Sequence, residues 1–243
     1  MGRIPGITIH EIGSYVVRNY LLETPVGIIA VDTGYSGGFA KFKDRFEKKW
    51  PLSALRYIFV THHHDDHVGF LGDLVASTQA TVVLHQSASE YIANGRNNMP
   101  PGGGYSSLPG SLFGLVKKDF SFPPLTLPAD RVVTVASQDD QVFESLGLPI
   151  RVLLLPGHTD DSIGLWLPQT GIILCGDAAM NAVISVARHT IWIDDTAEFG
   201  RSWDKMVSYH PKLIYPAHGN PFEASDLAKY RHYLDGKQLI PPK

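Results

Sequence analysis

Cysteine is almost absent from the sequence, since Cys175 is the one thiol among 243 residues. A single cysteine excludes a framework of intrachain disulfides and a zinc finger built on thiolates. Cys175 lies inside the apolar run "GIILCG", directly before Gly176 and Asp177. A cysteine in such a run is typically buried and inert, so we predict no reactive role for it.

The sequence also lacks a block of positive charge and a long apolar run. The formal net charge is −3, and no cluster of Lys and Arg indicates nucleic acid or an anionic membrane as a partner. No apolar stretch approaches the roughly 20 residues of a bilayer span, and the N-terminus does not resemble a secretory signal. We therefore expect a cytoplasmic protein with a small-molecule substrate; these features do not bear on its oligomeric state.

Internal repeats and low-complexity linkers are absent as well, so no linker divides the chain, although its length alone permits one domain or two. Hydrophobic residues make up 44% of the chain, which is enough for a sizeable core. The stretch "ITIHEIGSYVVRNYLLETPVGIIAVDTG" predicts three short strands. Helices are expected at 38–49, 66–78, 86–94, 198–209 and 223–235. This mixture of elements indicates a protein of the α/β (α+β) class.

One segment, residues 94–124, differs from the rest because it is rich in Gly and Pro and carries several aromatic residues. Connections of this length in compact domains often act as lids or binding loops. We consider two interpretations: a substrate lid that includes Tyr105 and Phe113, or a surface connector whose aromatic side chains pack on the body of the protein.

Four apolar runs each lead into a side chain that can bind a metal ion. "LRYIFVT" leads to His62, "IRVLLLPG" to His158, "GIILCG" to Asp177 and "KLIYPA" to His218. Short apolar runs are typical of buried strands, and ligands in α/β proteins bind beyond the carboxyl ends of strands. If these strands share one rim, the four side chains converge there.

The stretch "THHHDDH" at residues 61–67 offers ligands for two ions. If residues 62–64 continue the preceding strand, His62 and His64 point to one side and His63 to the other. Asp66 and His67 would then begin the next helix, where the turn of the backbone directs them to a second ion. His63 and Asp65 are left over and are interpreted as bystanders.

The remaining ligands must come from the other strand ends. His158 can complete the first site and His218 the second, while Asp177 can bridge the two ions through its two oxygens. The first ion would be held by His62, His64, His158 and Asp177, and the second by Asp66, His67, His218 and Asp177. Nitrogen and carboxylate ligands without thiolate suit two Zn²⁺ ions per chain, with Fe or Mn as alternatives.

The motifs "VDTG", "THHHDDH", "PGHT", "CGDA" and "PAHG", taken together and in this order, resemble those of the metallo-β-lactamase superfamily. The resemblance runs from Asn19 to His218. It implies a single domain over residues 1–243, a four-layer αββα sandwich with two mixed β-sheets flanked by helices and a dinuclear metal site at one rim. It also implies that Asp32 orients the histidine loop without binding metal. The chain departs from the common pattern at Asp160 and Asp161, where many relatives have Pro-Gly.

The resemblance favours a dinuclear zinc hydrolase in which a metal-bridging hydroxide attacks a small ester, thioester or lactone. Asp66 would act as the catalytic group that shuttles the proton. "THHHDDHVG" is similar to glyoxalase II-type thioesterases, but only 25 residues follow His218, too few for their glutathione-binding C-terminal domain. Three alternatives remain: a mononuclear iron enzyme like the persulfide dioxygenases, a β-lactamase or phosphodiesterase on the same scaffold, and a non-catalytic binding module.

Overall fold

The computed structural model describes residues 6–14, 16–116, 119–137 and 141–242. The chain forms two compact units. The first unit takes the residues up to Asn97 together with Ser121–Val135, and the second takes Asn98–Phe120 together with the residues from Ala136 onward. Whether the chain behaves as one domain stays a prediction.

The first unit is built on a mixed sheet of six strands, in the order β1-β2-β3-β4-β5-β7. Its strands are β1 (Thr8–Glu11), β2 (Tyr20–Thr24), β3 (Gly27–Val31), β4 (Leu55–Phe59), β5 (Thr81–His85) and β7 (Val132–Val135). The first three strands pair antiparallel, and β3, β4, β5 and β7 run parallel to one another. Since β3 and β4 are parallel neighbours, Asp32 and the loop that follows Phe59 lie at the same edge of the sheet.

Four α-helices accompany this sheet in the described part of the first unit. They are α1 (Phe39–Glu47), α2 (Asp65–Val68), α3 (Leu71–Ser77) and α4 (Ala88–Asn94). Short 3₁₀ helices occur at Leu52–Ala54 and Ala129–Arg131. Phe42 and Phe46 of α1 are buried in a core with Phe70, Leu71 and the inner side chains of β4 and β5. Burial of this apolar surface is the main driving force that holds the unit together.

The second unit has a mixed five-stranded sheet in the order β13-β12-β10-β9-β8 and a separate two-stranded sheet of β11 and β6. The strands are β6 (Gly104–Tyr105), β8 (Arg151–Leu154), β9 (Ile163–Leu167), β10 (Ile172–Gly176), β11 (Trp192–Ile193), β12 (Leu213–Pro216) and β13 (Phe222–Glu223). β8 and β10 both pair antiparallel with β9, and β10 pairs parallel with β12. The carboxyl ends of β8, β10 and β12 therefore lie at one edge of this sheet.

The helices of the second unit are α5 (Leu108–Val116), α6 (Thr196–Ser208) and α7 (Ser225–Tyr230), with 3₁₀ helices at Glu144–Leu146 and Arg231–Leu234. The N-cap of α6 is Asp195, whose Oδ1 accepts hydrogen bonds from the backbone N–H groups of Ala197 and Glu198 at 2.8 and 2.9 Å. Such an N-cap satisfies two of the donors that a helix start leaves without an intrahelical acceptor. Trp203 of α6 is fully buried and donates from Nε1 to the carbonyl oxygen of Ala178 at 2.7 Å.

Most of the predicted elements are confirmed. The three N-terminal strands and the four strands that precede candidate ligands are all present. The helix expected over 66–78 is divided into α2 and α3, because Phe70 leaves the helical conformation with φ −119° and ψ 24°. Residues 94–124 are not a structureless loop, since they contain β6 and α5. Among the described residues, none of the helices has both the length and the apolar character needed to cross a bilayer; the cytoplasmic location stays a prediction.

Candidate metal centre

The first half of the candidate site lies in the loop after β4. The prediction that residues 62–64 extend the strand is wrong, because β4 ends at Phe59 and residues 60–64 have no regular structure. The ring centroids of His62 and His64 nevertheless lie 4.7 Å apart. His63 packs against Tyr91 with ring centroids 4.3 Å apart. The loop, and not strand alternation, therefore places His62 and His64 side by side.

Helix α2 begins directly after this loop and carries the next two candidates. Asp66 Oδ1 lies 3.7 Å from His67 Nε2, and the ring of His67 lies 4.0 Å from that of His62. Asp65 is held elsewhere, since its Oδ1 accepts a hydrogen bond from Asn97 Nδ2 at 3.0 Å. The first unit thus gathers three imidazoles and one carboxylate, all buried except for the partly exposed Asp66.

Asp32 anchors this group of histidines from the end of β3. Its Oδ1 accepts the backbone N–H of Thr61 at 2.7 Å, and its Oδ2 accepts the Thr61 hydroxyl at 2.7 Å and His67 Nδ1–H at 2.8 Å. The Thr61 hydroxyl oxygen in turn lies 3.1 Å from His62 Nδ1. These bonds fix protons on the Nδ1 atoms, so the Nε2 atoms carry the lone pairs that a metal ion requires.

The second half of the candidate site lies at the shared edge of β8, β10 and β12. Asp177 Oδ2 lies 3.8 Å from His158 Nε2 and 3.4 Å from His218 Nε2. Its neighbour Thr190 also points a hydroxyl at that oxygen, at 3.4 Å. The second unit therefore places one carboxylate beside two imidazoles, as expected for strand ends that share one edge.

His158 is oriented in the same manner as His67, but by the backbone. Its Nδ1–H donates to the carbonyl oxygen of Trp192 at 2.8 Å, which leaves Nε2 directed to the side of Asp177. The preceding residue, Gly157, has φ +128°, and a Cβ there would lie 2.2 Å from the backbone nitrogen of Phe199. Only glycine permits this close approach of the loop to the start of α6.

The donor sets of the two units fit transition-metal ions. Each set combines imidazole Nε2 atoms with carboxylate oxygens that lie within 4 Å of them. In each set one such histidine, His67 or His158, has its Nδ1 atom held by a hydrogen bond. Uncompensated charges are costly when buried, and a divalent cation would compensate the carboxylates in each set. The absence of thiolate suits zinc, iron or manganese. Burial raises the pKa of the Cys175 thiol well above its usual value, in agreement with the expected inert cysteine.

The structure adds groups that sequence reasoning missed. The Trp192 carbonyl and the Thr190 hydroxyl come from residues that no motif singled out, and a backbone carbonyl leaves no signal in the sequence. Thr61 is the first residue of "THHHDDH". Its hydroxyl group directly before a histidine was the one sequence feature that could have indicated its role. Of the unusual pair at 160–161, Asp160 is exposed and Asp161 is fully buried, so only the former adds surface charge.

His189 belongs to neither proposed ligand set, yet the structure buries it. It is 1% exposed and packs against Trp203 with ring centroids 5.5 Å apart. Neither ring nitrogen has a hydrogen-bond partner in the described parts of the chain. Burial, aided by the positive charge of Lys237, lowers the pKa of His189 to about 4 from its usual value of 6.5.

This histidine is expected to make the protein less stable in acid. Because its folded-state pKa lies below the unfolded value, the unfolded chain binds the proton more readily between pH 6.5 and 4. The free energy of unfolding should therefore fall by up to about 3 kcal/mol as the pH drops through this window. Urea unfolding from pH 7.5 to 4 should show a shallower decline for His189→Gln than for the wild type. The exposed His232→Gln serves as control, and equal slopes for His189→Gln and wild type would contradict the assignment.

Comparison with known proteins gives a consistent picture. A family model described as the metallo-beta-lactamase superfamily matches residues 14–218. The beta-lactamase-like protein 2 homolog of Drosophila melanogaster is 25% identical and covers 90% of the chain, which spans only 63% of the fly protein. The probable metallo-hydrolase YflN of Bacillus subtilis is 25% identical, over 95% of this chain and 90% of its own.

Solved structures show the same fold. The archaeal metallo-beta-lactamase superfamily protein ST1585 from Sulfolobus tokodaii has a TM-score of 0.66 at 18% identity, over 98% of this chain and 90% of its own. TTHA1623, solved in a di-iron-bound form, has a TM-score of 0.63 at 21% identity, over 92% and 98% of the two chains. These likenesses confirm the predicted fold class.

Proposed function

Because the chain belongs to the metallo-β-lactamase superfamily, we propose that it is a zinc-dependent hydrolase of a small ester, thioester or lactone. One observation carries the proposal. His67 and His158, in different units, both donate from Nδ1 to a fixed oxygen and keep Nε2 beside a carboxylate. Imidazoles held in this way are typical of metal ligands in proteins.

The proposed ligand sets draw on both units. One zinc ion would be held by His62, His64, His158 and Asp177, and the other by Asp66, His67, His218 and Asp177. Two features support this division: the pairing of His62 with His64 in one loop, and the single carboxylate of Asp177 beside both His158 and His218.

When bound, two such ions would polarise the scissile carbonyl group and lower the pKa of a water to near neutrality. The protein's own contribution is orientation and proton transfer. Asp66 is 14% exposed and can keep one carboxylate oxygen for the proton that the attacking water loses. Asp32 is buried and fully engaged with Thr61 and His67, so its role is to hold the imidazole of His67 in place.

Residues 94–124 are proposed to form part of the substrate site. Tyr105 packs edge-on against Trp192 at 5.2 Å between ring centroids, and the carbonyl of the same tryptophan orients His158. Phe113 lies half-buried in α5, which exposes Leu108, Leu112 and Val116. The segment therefore combines an exposed apolar helix with a tyrosine close to the residue that orients His158. Both features support the proposal that it forms a lid over a substrate with an apolar group.

Metal analysis followed by a substrate panel tests the proposal. We expect close to two zinc ions per chain and hydrolysis of at least one of three substrates: a nitrophenyl ester, an acyl thioester or a lactone. Chelation should abolish the activity and added zinc should restore it. Bis-nitrophenyl phosphate and a cephalosporin complete the panel as probes of the phosphodiesterase and β-lactamase alternatives.

The iron content of the purified protein tests the main alternative, an iron-dependent dioxygenase. TTHA1623, solved in a di-iron-bound form, shows that the fold can carry iron. Close to one iron per chain, with oxygen consumption on a persulfide and no hydrolysis, would replace the hydrolase by a dioxygenase. Protein that binds no metal after reconstitution would support a non-catalytic module.

A further inference from the structure

A cavity of about 310 Å³ lies within the first unit, between the β1–β2 connection and the start of α1. Its apolar wall includes Ile12, Val17, Phe42 and Phe70, and the rings of Phe42 and Phe70 lie 5.4 Å apart. None of the residues proposed as metal ligands lines it. The cavity is therefore a feature separate from the candidate metal centre.

The charged side chains described as lining the cavity are all positive. Lys41 and Arg45 are the charged residues among those described as lining it, and no carboxylate belongs to that set. Arg45 Nη1 donates to the carbonyl oxygens of Ile12, at 2.8 Å, and Gly13. These bonds hold the β1–β2 connection against α1 and keep the guanidinium at the rim. An anion that enters the cavity meets two cations and, among the described lining residues, no opposing charge.

The start of α1 adds partial positive charge at the same place. The N-cap residue Gly38 provides no side-chain hydrogen bond, and the first turn contains no acidic residue. The first N–H groups of a helix have no intrahelical acceptor, and the helix dipole places positive charge there. The preceding residues Tyr35–Gly38 also line the cavity, so the cavity lies at this helix start, a position that favours anions.

Asn19 provides an independent sign of a ligand. It lines the cavity, is only 7% exposed, and its Nδ2 is buried without a hydrogen-bond partner among the described residues. A buried amide donor without an acceptor is destabilising. A ligand oxygen in the cavity would supply the missing acceptor.

From these features we propose that the cavity binds a small organic anion, a phosphate or carboxylate that carries an apolar group. The acidic group would lie at the start of α1, near Lys41 and Asn19, and the apolar group against Phe42 and Phe70. The proposal does not depend on the proposed hydrolase function, because it uses no metal ligand.

Amide NMR spectra of the full-length, metal-loaded protein test it, with inorganic phosphate and phenyl phosphate as probes. We expect saturable shifts at residues 36–41 and at the Asn19 side-chain amide. Phenyl phosphate should bind about tenfold more tightly than inorganic phosphate, because its ring buries apolar surface. Binding of phosphate at the metal centre would instead shift the amides of residues 62–67, which separates the two sites.

Variants make the test specific. Lys41→Gln should weaken phenyl phosphate binding about threefold, as expected for one exposed charge, and Asn19→Leu about tenfold or more, through loss of a buried hydrogen bond. Lys48→Gln, an exposed lysine at the end of the same helix, should have no effect. If Asn19→Leu does not fold, Lys41→Glu at an exposed position serves instead and should abolish binding. The absence of saturable shifts at residues 36–41, or equal affinity in Lys41→Gln and Lys48→Gln, would overturn the proposal.

Discussion

Replacing Asp177 by alanine is expected to remove both metal ions and to lower kcat/KM by at least about a thousandfold, since metal-ion catalysis contributes several kcal/mol. Asp177 Oδ2 lies within 4 Å of the Nε2 atoms of both His158 and His218. Its loss would leave the proposed sets with one ligand fewer at each ion.

The matched control for this variant is Asp160→Ala. Asp160 is also an aspartate at the carboxyl edge of the second sheet, two residues after His158, but it is exposed. Metal content by mass spectrometry and kcat/KM on the best panel substrate should both stay near wild type in Asp160→Ala. Two bound metals and activity within a few fold of wild type in Asp177→Ala would refute the bridging role.

The sequence was sufficient to predict the strands that carry the candidate ligands. Each apolar run that ended in His or Asp became a strand, because short continuous runs of this kind are stable when buried in a sheet. The parallel arrangement of β8, β10 and β12 then brought His158, Asp177 and His218 to one edge. Apolar patterning alone thus accounts for half of the candidate site.

The local backbone was less predictable. Residues 60–64 leave the strand because the backbone there is held from outside: Asp32 accepts hydrogen bonds from Thr61, and Thr33 donates from its backbone to the carbonyl oxygen of His67. These partners lie about 30 residues away in sequence, and no periodicity reports them. His62 and His64 lie side by side, but the loop and not strand alternation places them there; their binding of one ion stays a prediction.

Similarity to known relatives indicates a metal-dependent hydrolase, but it does not identify the substrate. The fold supports many chemistries, so the substrate must be argued from the site and not from the family. Three features outside the proposed ligands could shape the choice of substrate: α5 with its exposed leucines, the contact of Tyr105 with Trp192, and the cavity beside α1. None of them includes a proposed metal ligand.

Replacing Asp32 by alanine is expected to lower both stability and metal affinity. The change leaves three buried donors, on Thr61 and His67, without their acceptor, which should lower the free energy of unfolding by about 3 kcal/mol. Residue 32 also has φ +60°, a conformation that alanine adopts less readily than aspartate. Metal affinity should fall by about 10- to 100-fold, as measured by competition with a zinc indicator.

Asp32→Asn separates orientation from simple destabilisation. Asparagine tolerates a positive φ, and its Oδ1 can still accept the backbone N–H of Thr61, so the loss in urea unfolding should be small. Its amide N–H₂ group would face His67 Nδ1, however, and a donor there favours the tautomer with the proton on Nε2. Zinc affinity should therefore fall nearly as far as in Asp32→Ala, although stability does not. If Asp32→Asn binds zinc like the wild type, hydrogen bonding by Asp32 supports the fold alone and does not prepare His67 for metal.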